Sequence, residues 1–133
     1  MSFFDTPNFL RRVLFADAAT STIAGLVMLA GADVLAGPPG LPAALLRHAG
    51  LALLPFAAFV AVAAARRRLS RAAVWVIIAC NGLWAAESLL LIAGGWIVPN
   101  IWGQAFVVAQ ALVVALFAEA EFIGLRRSAP AAA

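Results

Sequence analysis

Long apolar runs dominate the chain, and short turn-forming or basic segments separate them. Four runs cover residues 13–36, 42–65, 72–96 and 101–124 approximately. Each reaches the ~20 residues that an α-helix needs to cross a hydrocarbon core ~30 Å thick. A β-barrel strand would alternate apolar and polar residues over about ten positions, which none of the runs does. Because backbone polar groups inside lipid must satisfy each other, the pattern predicts four transmembrane helices.

The segments between the runs carry turn and capping chemistry. They are GPPGLP at 37–42, ARRRLSR at 65–71 and GGWIVPN at 94–100. Such short connections require successive helices to run antiparallel. Ser70 is a suitable N-cap for the third helix, and the sequence DTPN predicts that the first helix begins near Pro7. The predicted fold is therefore an all-α membrane protein, a four-helix antiparallel transmembrane bundle.

We predict a single transmembrane domain over residues 1–128 and a disordered tail, APAAA, at 129–133. Residues 15–32 can be aligned with 78–95, and in both cases a Gly/Pro-containing loop and another apolar helix follow. One interpretation is a tandem repeat of a helical hairpin, with both copies in the same orientation. The other is that apolar helices resemble each other by composition alone.

The composition supports lipid as the main solvent. Of the 133 residues, 65% are hydrophobic and 11% are charged, and the mean hydropathy is +1.04. In soluble domains, roughly a quarter of the residues are charged. The net charge is +3, and all nine basic residues are arginines that lie near the ends of the apolar runs. This placement is typical of membrane topology and gives no indication of nucleic-acid binding.

The arginines also predict an orientation. Eight of the nine fall on one side of the predicted bundle: Arg11, Arg12, Arg66, Arg67, Arg68, Arg71, Arg126 and Arg127. Only Arg47 falls on the other side, where Trp96 and Trp102 flank the last loop. By the positive-inside rule both termini are cytoplasmic. Together with the lysine-free, Ala/Arg-rich composition, this predicts a multi-pass protein of a bacterial inner membrane.

Several kinds of chemistry are absent from the sequence. Cys80 is the single cysteine and His48 the single histidine, so neither a disulfide nor a zinc or haem site is expected. We expect Cys80 to be a small packing residue. The chain has no P-loop, GxSxG or CxxC motif. No catalytic residue, metal or cofactor is therefore predicted, and an enzyme of this kind would have to act on a lipid-like molecule through carboxylates.

The stretch CNGLWAAES, residues 80–88, places polar groups inside the third apolar run. Glu87 and Gln110 of the fourth run lie at similar depths, roughly 12 and 13 Å below the arginine-poor surface. We expect these two side chains to hydrogen-bond, and Trp84 to donate to Asn81 or Ser88. The predicted ligand-binding set is Asn81, Trp84, Glu87, Ser88 and Gln110. The alternative is that these groups only hold helices together.

A second polar group is predicted near the arginine-rich surface. Asp17 and Glu119 share a depth of roughly 7–10 Å, which the long side chains of arginines nearer the surface can reach. This interfacial charge cluster comprises Asp17, Glu119, Arg12 and Arg126. We expect Glu121 to lie among the lipid headgroups. We also expect Asp33 and Arg47 to pair across the first loop.

The stretch LPAALLRHAGLALLPFAAFVA, residues 41–61, resembles a group of small bacterial four-helix integral membrane proteins. The likeness covers nearly the whole chain. In size and topology the chain is also similar to DoxX-like proteins and to the four-helix sterol-binding EXPERA group. The resemblance implies the bundle fold and a bacterial membrane, and it supplies neither an activity nor a site residue.

Three functional hypotheses follow. The first is a non-enzymatic accessory or structural subunit, which contacts a membrane-protein partner or a second copy of itself through its helices. The second is a binder or carrier of a hydrophobic small molecule or lipid that uses Asn81, Trp84, Glu87 and Gln110. The third is a lipid-modifying isomerase-type enzyme that uses Glu87. All three take the lipid bilayer as the surrounding partner and none involves nucleic acid.

Overall fold

The computed structural model describes residues 7–37 and 40–128. These residues form five helices: α1 (Pro7–Ala30), α2 (Ala32–Ala36), α3 (Ala43–Ala65), α4 (Arg71–Ala93) and α5 (Ile101–Arg127). All except α2 are long and apolar enough to cross a membrane. The predicted helical bundle is thereby confirmed, and the protein is a small multi-pass membrane protein. The predicted disordered tail lies outside the described residues.

The helix ends follow local chemistry. The first helix begins at Pro7, as predicted, but it breaks at Gly31 rather than continuing to residue 36. A Cβ atom at residue 31 would lie 2.6 Å from the Val27 carbonyl oxygen, which is closer than any side chain can approach. Glycine therefore allows the chain to leave the first helix and enter the short α2. Ser70 caps α4 as predicted, because its Oγ accepts a hydrogen bond from Ala73 N at 3.2 Å.

Two close helix pairs build the bundle, α1 with α3 and α4 with α5. In the first pair the backbones nearly touch at two glycines. A Cβ atom at residue 50 would lie 2.7 Å from the carbonyl oxygen of Gly25. Small residues at such crossings allow the close packing on which helix association in lipid depends. By contrast, α3 and α4 make few contacts with each other.

Arginines tie the helix ends together at one end of the bundle. From α1, Arg11 donates hydrogen bonds to the carbonyl oxygens of Ala64, Arg66 and Arg67, at and just beyond the end of α3. From the start of α4, Arg71 donates to Leu125 O near the end of α5 at 3.2 Å. Carbonyls in the last turn of a helix have no partner within the helix, so these arginines supply one. In both pairs an N-terminal end meets a C-terminal end, so the pairs are antiparallel.

Two apolar cores lie along the bundle axis with buried polar residues between them. The core at the arginine-rich end includes Leu10, Leu14, Val60, Val74, Ile77 and Leu125. The core at the arginine-poor end includes Met28, Leu41, Leu46, Leu53, Ile97 and Val107. The buried polar residues outside both cores include Asp17, Ser21, Asn81 and Glu121. Polar groups in such surroundings are costly unless they hydrogen-bond, so their partners identify the candidate site.

The expected ion pair at the arginine-poor end is present. Arg47 Nη2 lies 2.6 Å from Asp33 Oδ1, and it links α2 to α3. Both side chains are largely exposed outside the apolar cores, so the pair contributes little to stability. It lies between α2 and the start of α3 at the arginine-poor end.

Candidate functional site

Asn81 connects three helices in the buried polar layer. Its Nδ2 donates hydrogen bonds to Asp17 Oδ2 at 2.8 Å and to Glu121 Oε1 at 2.9 Å. A carboxyl oxygen without a proton only accepts, so the amide nitrogen rather than the amide oxygen faces these two oxygens. Ser21 Oγ adds a hydrogen bond to Asp17 Oδ1 at 3.2 Å. One amide thus joins α1, α4 and α5, and we refer to Asp17, Asn81 and Glu121 as the carboxyl cluster.

Glu121 is not at the headgroups, where the sequence placed it. Its side chain is 0% exposed, because it shares the inward face of α5 with Val107 and Ala111. Glu119 lies two residues earlier, about 200° around the helix, and is exposed. The acid that meets Asp17 is therefore Glu121 and not Glu119.

The predicted interfacial charge cluster is not assembled. Of its four members, Asp17 is buried while Glu119, Arg12 and Arg126 are exposed. The Arg126 guanidinium carbon lies 5.6 Å from the centre of the Phe122 ring, which is a cation–π contact on the bundle surface. The neighbouring Arg11, rather than Arg12, turns inward, and it bonds backbone carbonyls rather than carboxylates.

A second polar contact lies nearer the arginine-poor end. Trp84 Nε1 donates a hydrogen bond to Gln110 Oε1 at 2.8 Å, and Gln110 Nε2 donates to Val107 O at 2.8 Å. Ser88 Oγ donates to the Trp84 carbonyl at 2.7 Å. Trp84 therefore bonds to Gln110 and not to Asn81 or Ser88. Both polar atoms of the Gln110 amide have a partner in these contacts, and the expected Glu87–Gln110 bond is not formed.

Glu87 remains exposed on α4, six residues or about 9 Å before the end of that helix. Within the described residues it forms neither a hydrogen bond nor an ion pair. A carboxyl group at this depth in an apolar helix is expensive when it faces lipid alone. Its position therefore calls for a partner that the described chain does not supply.

Three neighbouring cavities lie between the two helix pairs, and Trp84 lines all of them. The first, about 290 Å³ in volume, lies at the arginine-poor end and reaches Glu87, Ser88 and Gln110. We call it the groove cavity. The second, about 260 Å³, lies between α3 and α4 and reaches Asn81 and Glu87. The cavities arise because the two helix pairs pack closely within themselves and loosely against each other.

The third cavity, about 300 Å³, lies between α1 and α5 and reaches Asp17, Ser21 and Gln110. We call it the α1–α5 cavity. All five residues of the predicted ligand-binding set line at least one of the three cavities.

His48 and Cys80 also border the cavities. His48 Nδ1 lies 2.7 Å from the Ala44 carbonyl oxygen. Because a carbonyl only accepts, Nδ1 carries a proton, and in the neutral ring Nε2 is then the nitrogen that can accept. His48 is one of the residues that line the groove cavity. Cys80 is exposed rather than packed in the core, since the adjacent Asn81 occupies the inward face of α4.

No protein-family model, curated protein or solved structure matches the chain. The site geometry and its chemistry therefore carry the argument about function.

Proposed function

We propose that the protein binds a hydrophobic molecule with a polar head inside the membrane, in the groove cavity. The supporting observation is that Glu87, which is exposed and has no partner among the described residues, borders a mostly apolar cavity. Known ligand pockets combine a mostly apolar lining with a few polar groups that orient the ligand. The groove cavity has this combination, with Met28, Leu91 and Phe106 among its apolar walls.

The cavity volume suits part of a lipid-like molecule. An apolar cavity of about 150 Å³ accommodates benzene, so the groove cavity, at about 290 Å³, has room for a larger ring or a short stretch of chain. The remainder of a longer ligand would extend into the surrounding bilayer. The apolar lining therefore selects for hydrophobicity, and the polar groups at the edge select for the head.

The polar groups indicate the chemistry of that head. Glu87 offers carboxyl oxygens and His48 offers Nε2, both of which accept hydrogen bonds. Gln110 is already engaged by Trp84. A head that donates hydrogen bonds, such as an amine or a hydroxyl, is complementary to this edge. A cationic amine would gain the most binding energy, because opposite charges attract strongly where the local dielectric is low.

The arginine distribution supports placing this site in the outer half of a bacterial inner membrane. The groove cavity lies at the arginine-poor end, and the positive-inside rule assigns the arginine-rich end, with both termini, to the cytoplasm. A ligand would then enter laterally from the outer leaflet.

The proposal can be tested with a fluorescent long-chain alkylamine and the matching alkyl alcohol. Both probes are titrated into the full chain in mild detergent, alongside mass spectrometry of lipids that co-purify. Ala49→Trp fills the groove cavity, which Ala49 lines. Leu90→Trp adds the same side chain at an exposed position of α4, and it serves as the control. Glu87→Gln removes the acidic group without a large change in shape.

We expect saturable binding of both probes to the native chain and to Leu90→Trp, and at least tenfold weaker binding to Ala49→Trp. Glu87→Gln is expected to weaken the amine more than the alcohol, because only the amine gains from a negative charge. Equal binding to all four proteins would exclude the groove cavity as the site.

The second candidate is the accessory or structural subunit, and the same exposed Glu87 favours it. A polar group on a partner helix, or on a second copy of the chain, would satisfy the carboxyl by an interhelical hydrogen bond. Under this hypothesis Glu87→Gln weakens assembly while Ala49→Trp leaves it unchanged. A native chain that is strictly monomeric in mild detergent and captures no partner would contradict it. The isomerase hypothesis gains no further support and stays a prediction.

A further inference from the structure

We propose that the carboxyl cluster binds one exchangeable proton, which Glu121 carries and shares with Asp17 through a hydrogen bond. The inference does not depend on the proposed ligand, because it concerns different side chains. Asp17 is 2% exposed and Glu121 is 0% exposed. Neither forms a salt bridge with a described residue. Two adjacent negative charges would therefore lie inside the bundle without a cation to balance them.

The hydrogen bonds around the two acids indicate which of them carries the proton. Both Asp17 oxygens accept, one from Ser21 and one from Asn81. Glu121 Oε1 accepts from Asn81, but Oε2 is buried and has no hydrogen-bond partner. The two carboxyl groups lie close together, because the single nitrogen Asn81 Nδ2 hydrogen-bonds to both of them. Two carboxylates cannot hydrogen-bond to one another, whereas a carboxylic acid on Glu121 can donate to Asp17.

The orientation of Asn81 favours a proton over a metal cation. Both Asn81 N–H bonds point at the acids, so a cation between the carboxyl groups would face amide hydrogens. Sodium and other hard cations take oxygen ligands instead. A proton needs no such ligand set and fits the contacts that are present.

Other charged groups lie away from the pair on every helix that packs around it. On α1, Arg11 is engaged by carbonyls at the end of α3 and Arg12 is exposed. On α3, no titratable side chain occurs between His48 and Arg66. On α4 and α5, Arg71 bonds to Leu125 O, and the other titratable side chains are exposed: Cys80, Glu87, Glu119, Arg126 and Arg127. Because these charged groups lie away from the pair, the shared proton is what reduces the negative charge of the two acids.

The α1–α5 cavity gives the proton a route of exchange. Asp17 lines that cavity together with Thr20, Ser21 and Gln110. These hydroxyl and amide groups can hydrogen-bond water, which moves protons to and from a buried acid. A proton can therefore enter and leave without separation of the helices.

Infrared spectroscopy of the full chain in lipid vesicles tests the proposal. Glu87→Gln/Glu119→Gln leaves Glu121 as the only glutamate in the sequence. Glutamate labelled with carbon-13 at its side-chain carboxyl then reports on Glu121 alone. This measurement retains Glu121, so it remains informative even if the variant Glu121→Gln does not fold. We expect a labelled carboxylic-acid band at neutral pH that shifts when D₂O replaces H₂O. Glu121→Gln in otherwise native protein is the control, because it retains Glu87 and Glu119. It should lose this band.

Two results would overturn the proposal. One is a labelled spectrum that contains only carboxylate bands at neutral pH. The other is conversion of the acid band to carboxylate bands by sodium chloride but not by choline chloride, which would make the cluster a cation site. An acid band that is present in both salts and exchanges with D₂O supports the proton.

Discussion

The indole Nε1 of Trp84 donates a 2.8 Å hydrogen bond to the side-chain oxygen of Gln110, and so joins α4 to α5. Trp84 also lines all three cavities between the helix pairs. The bond therefore fixes the position of the side chain that separates these cavities. Its loss should affect both stability and the shape of the groove cavity.

Trp84→Phe is expected to destabilise the protein. Interhelical hydrogen bonds in membrane proteins contribute about 0.6 kcal/mol on average and about 1.7 kcal/mol at most, and the smaller ring adds a packing loss. Trp102→Phe, at an exposed position, is the control and should be close to neutral. A double-mutant cycle with Gln110→Leu, measured by unfolding in detergent, isolates the bond. A coupling free energy near zero would contradict its role.

Gly50→Ala should destabilise the α1–α3 pair. The added Cβ would lie 2.7 Å from Gly25 O, and overpacking of this kind costs about 1–3 kcal/mol. Gly82 offers a matched control within α4, because a Cβ there meets nothing within 4 Å. Gly82→Ala should be neutral or more stable by up to about 1 kcal/mol, from helix propensity alone. The free energy of unfolding should therefore fall for Gly50→Ala and not for Gly82→Ala, and equal changes would exclude close packing as the cause.

Asn81→Leu tests the bridge in the carboxyl cluster. The substitution keeps a similar side-chain volume but removes both donors, which leaves Asp17 and Glu121 with unsatisfied buried oxygens. Such loss costs about 1–3 kcal/mol. Cys80→Leu, at the adjacent exposed position, is the control and should leave the thermal unfolding temperature nearly unchanged. If both variants unfold at the native temperature, the amide is not a structural bridge.

The sequence predicts the four long helices because their length and apolar composition are requirements of the bilayer itself. It also predicts Ser70 as a cap, which depends on residues three apart, and the Asp33–Arg47 pair, which spans a single loop. The break at Gly31 was missed, because it depends on one backbone contact with Val27. Apolar periodicity carries no information on such a contact.

The candidate site was predicted only in part, because its contacts depend on helix rotation rather than depth. Depth below the membrane surface, taken alone, predicts that Asp17 meets Glu119 and that Glu87 meets Gln110. The rotation of α5 places Glu121 inward instead, and its spacing from Gly103, Val107 and Ala111 is the signal that could have identified it. The cavities could not be foreseen, since they come from loose packing between helix pairs.

Arg11 should matter more for stability than the neighbouring Arg12. Arg11 donates to carbonyls around the end of α3, whereas Arg12 is exposed. Hydrogen bonds from charged donors contribute about 1.5–3 kcal/mol when buried. Because the Arg66 and Arg67 carbonyls are exposed, we expect a loss of about 1 kcal/mol for Arg11→Gln and almost none for Arg12→Gln. Both variants lose one positive charge, so any effect of that charge on the orientation of the protein in the membrane is the same in the two. Equal unfolding free energies for the two would show that Arg11 acts only through its charge and not through the end of α3.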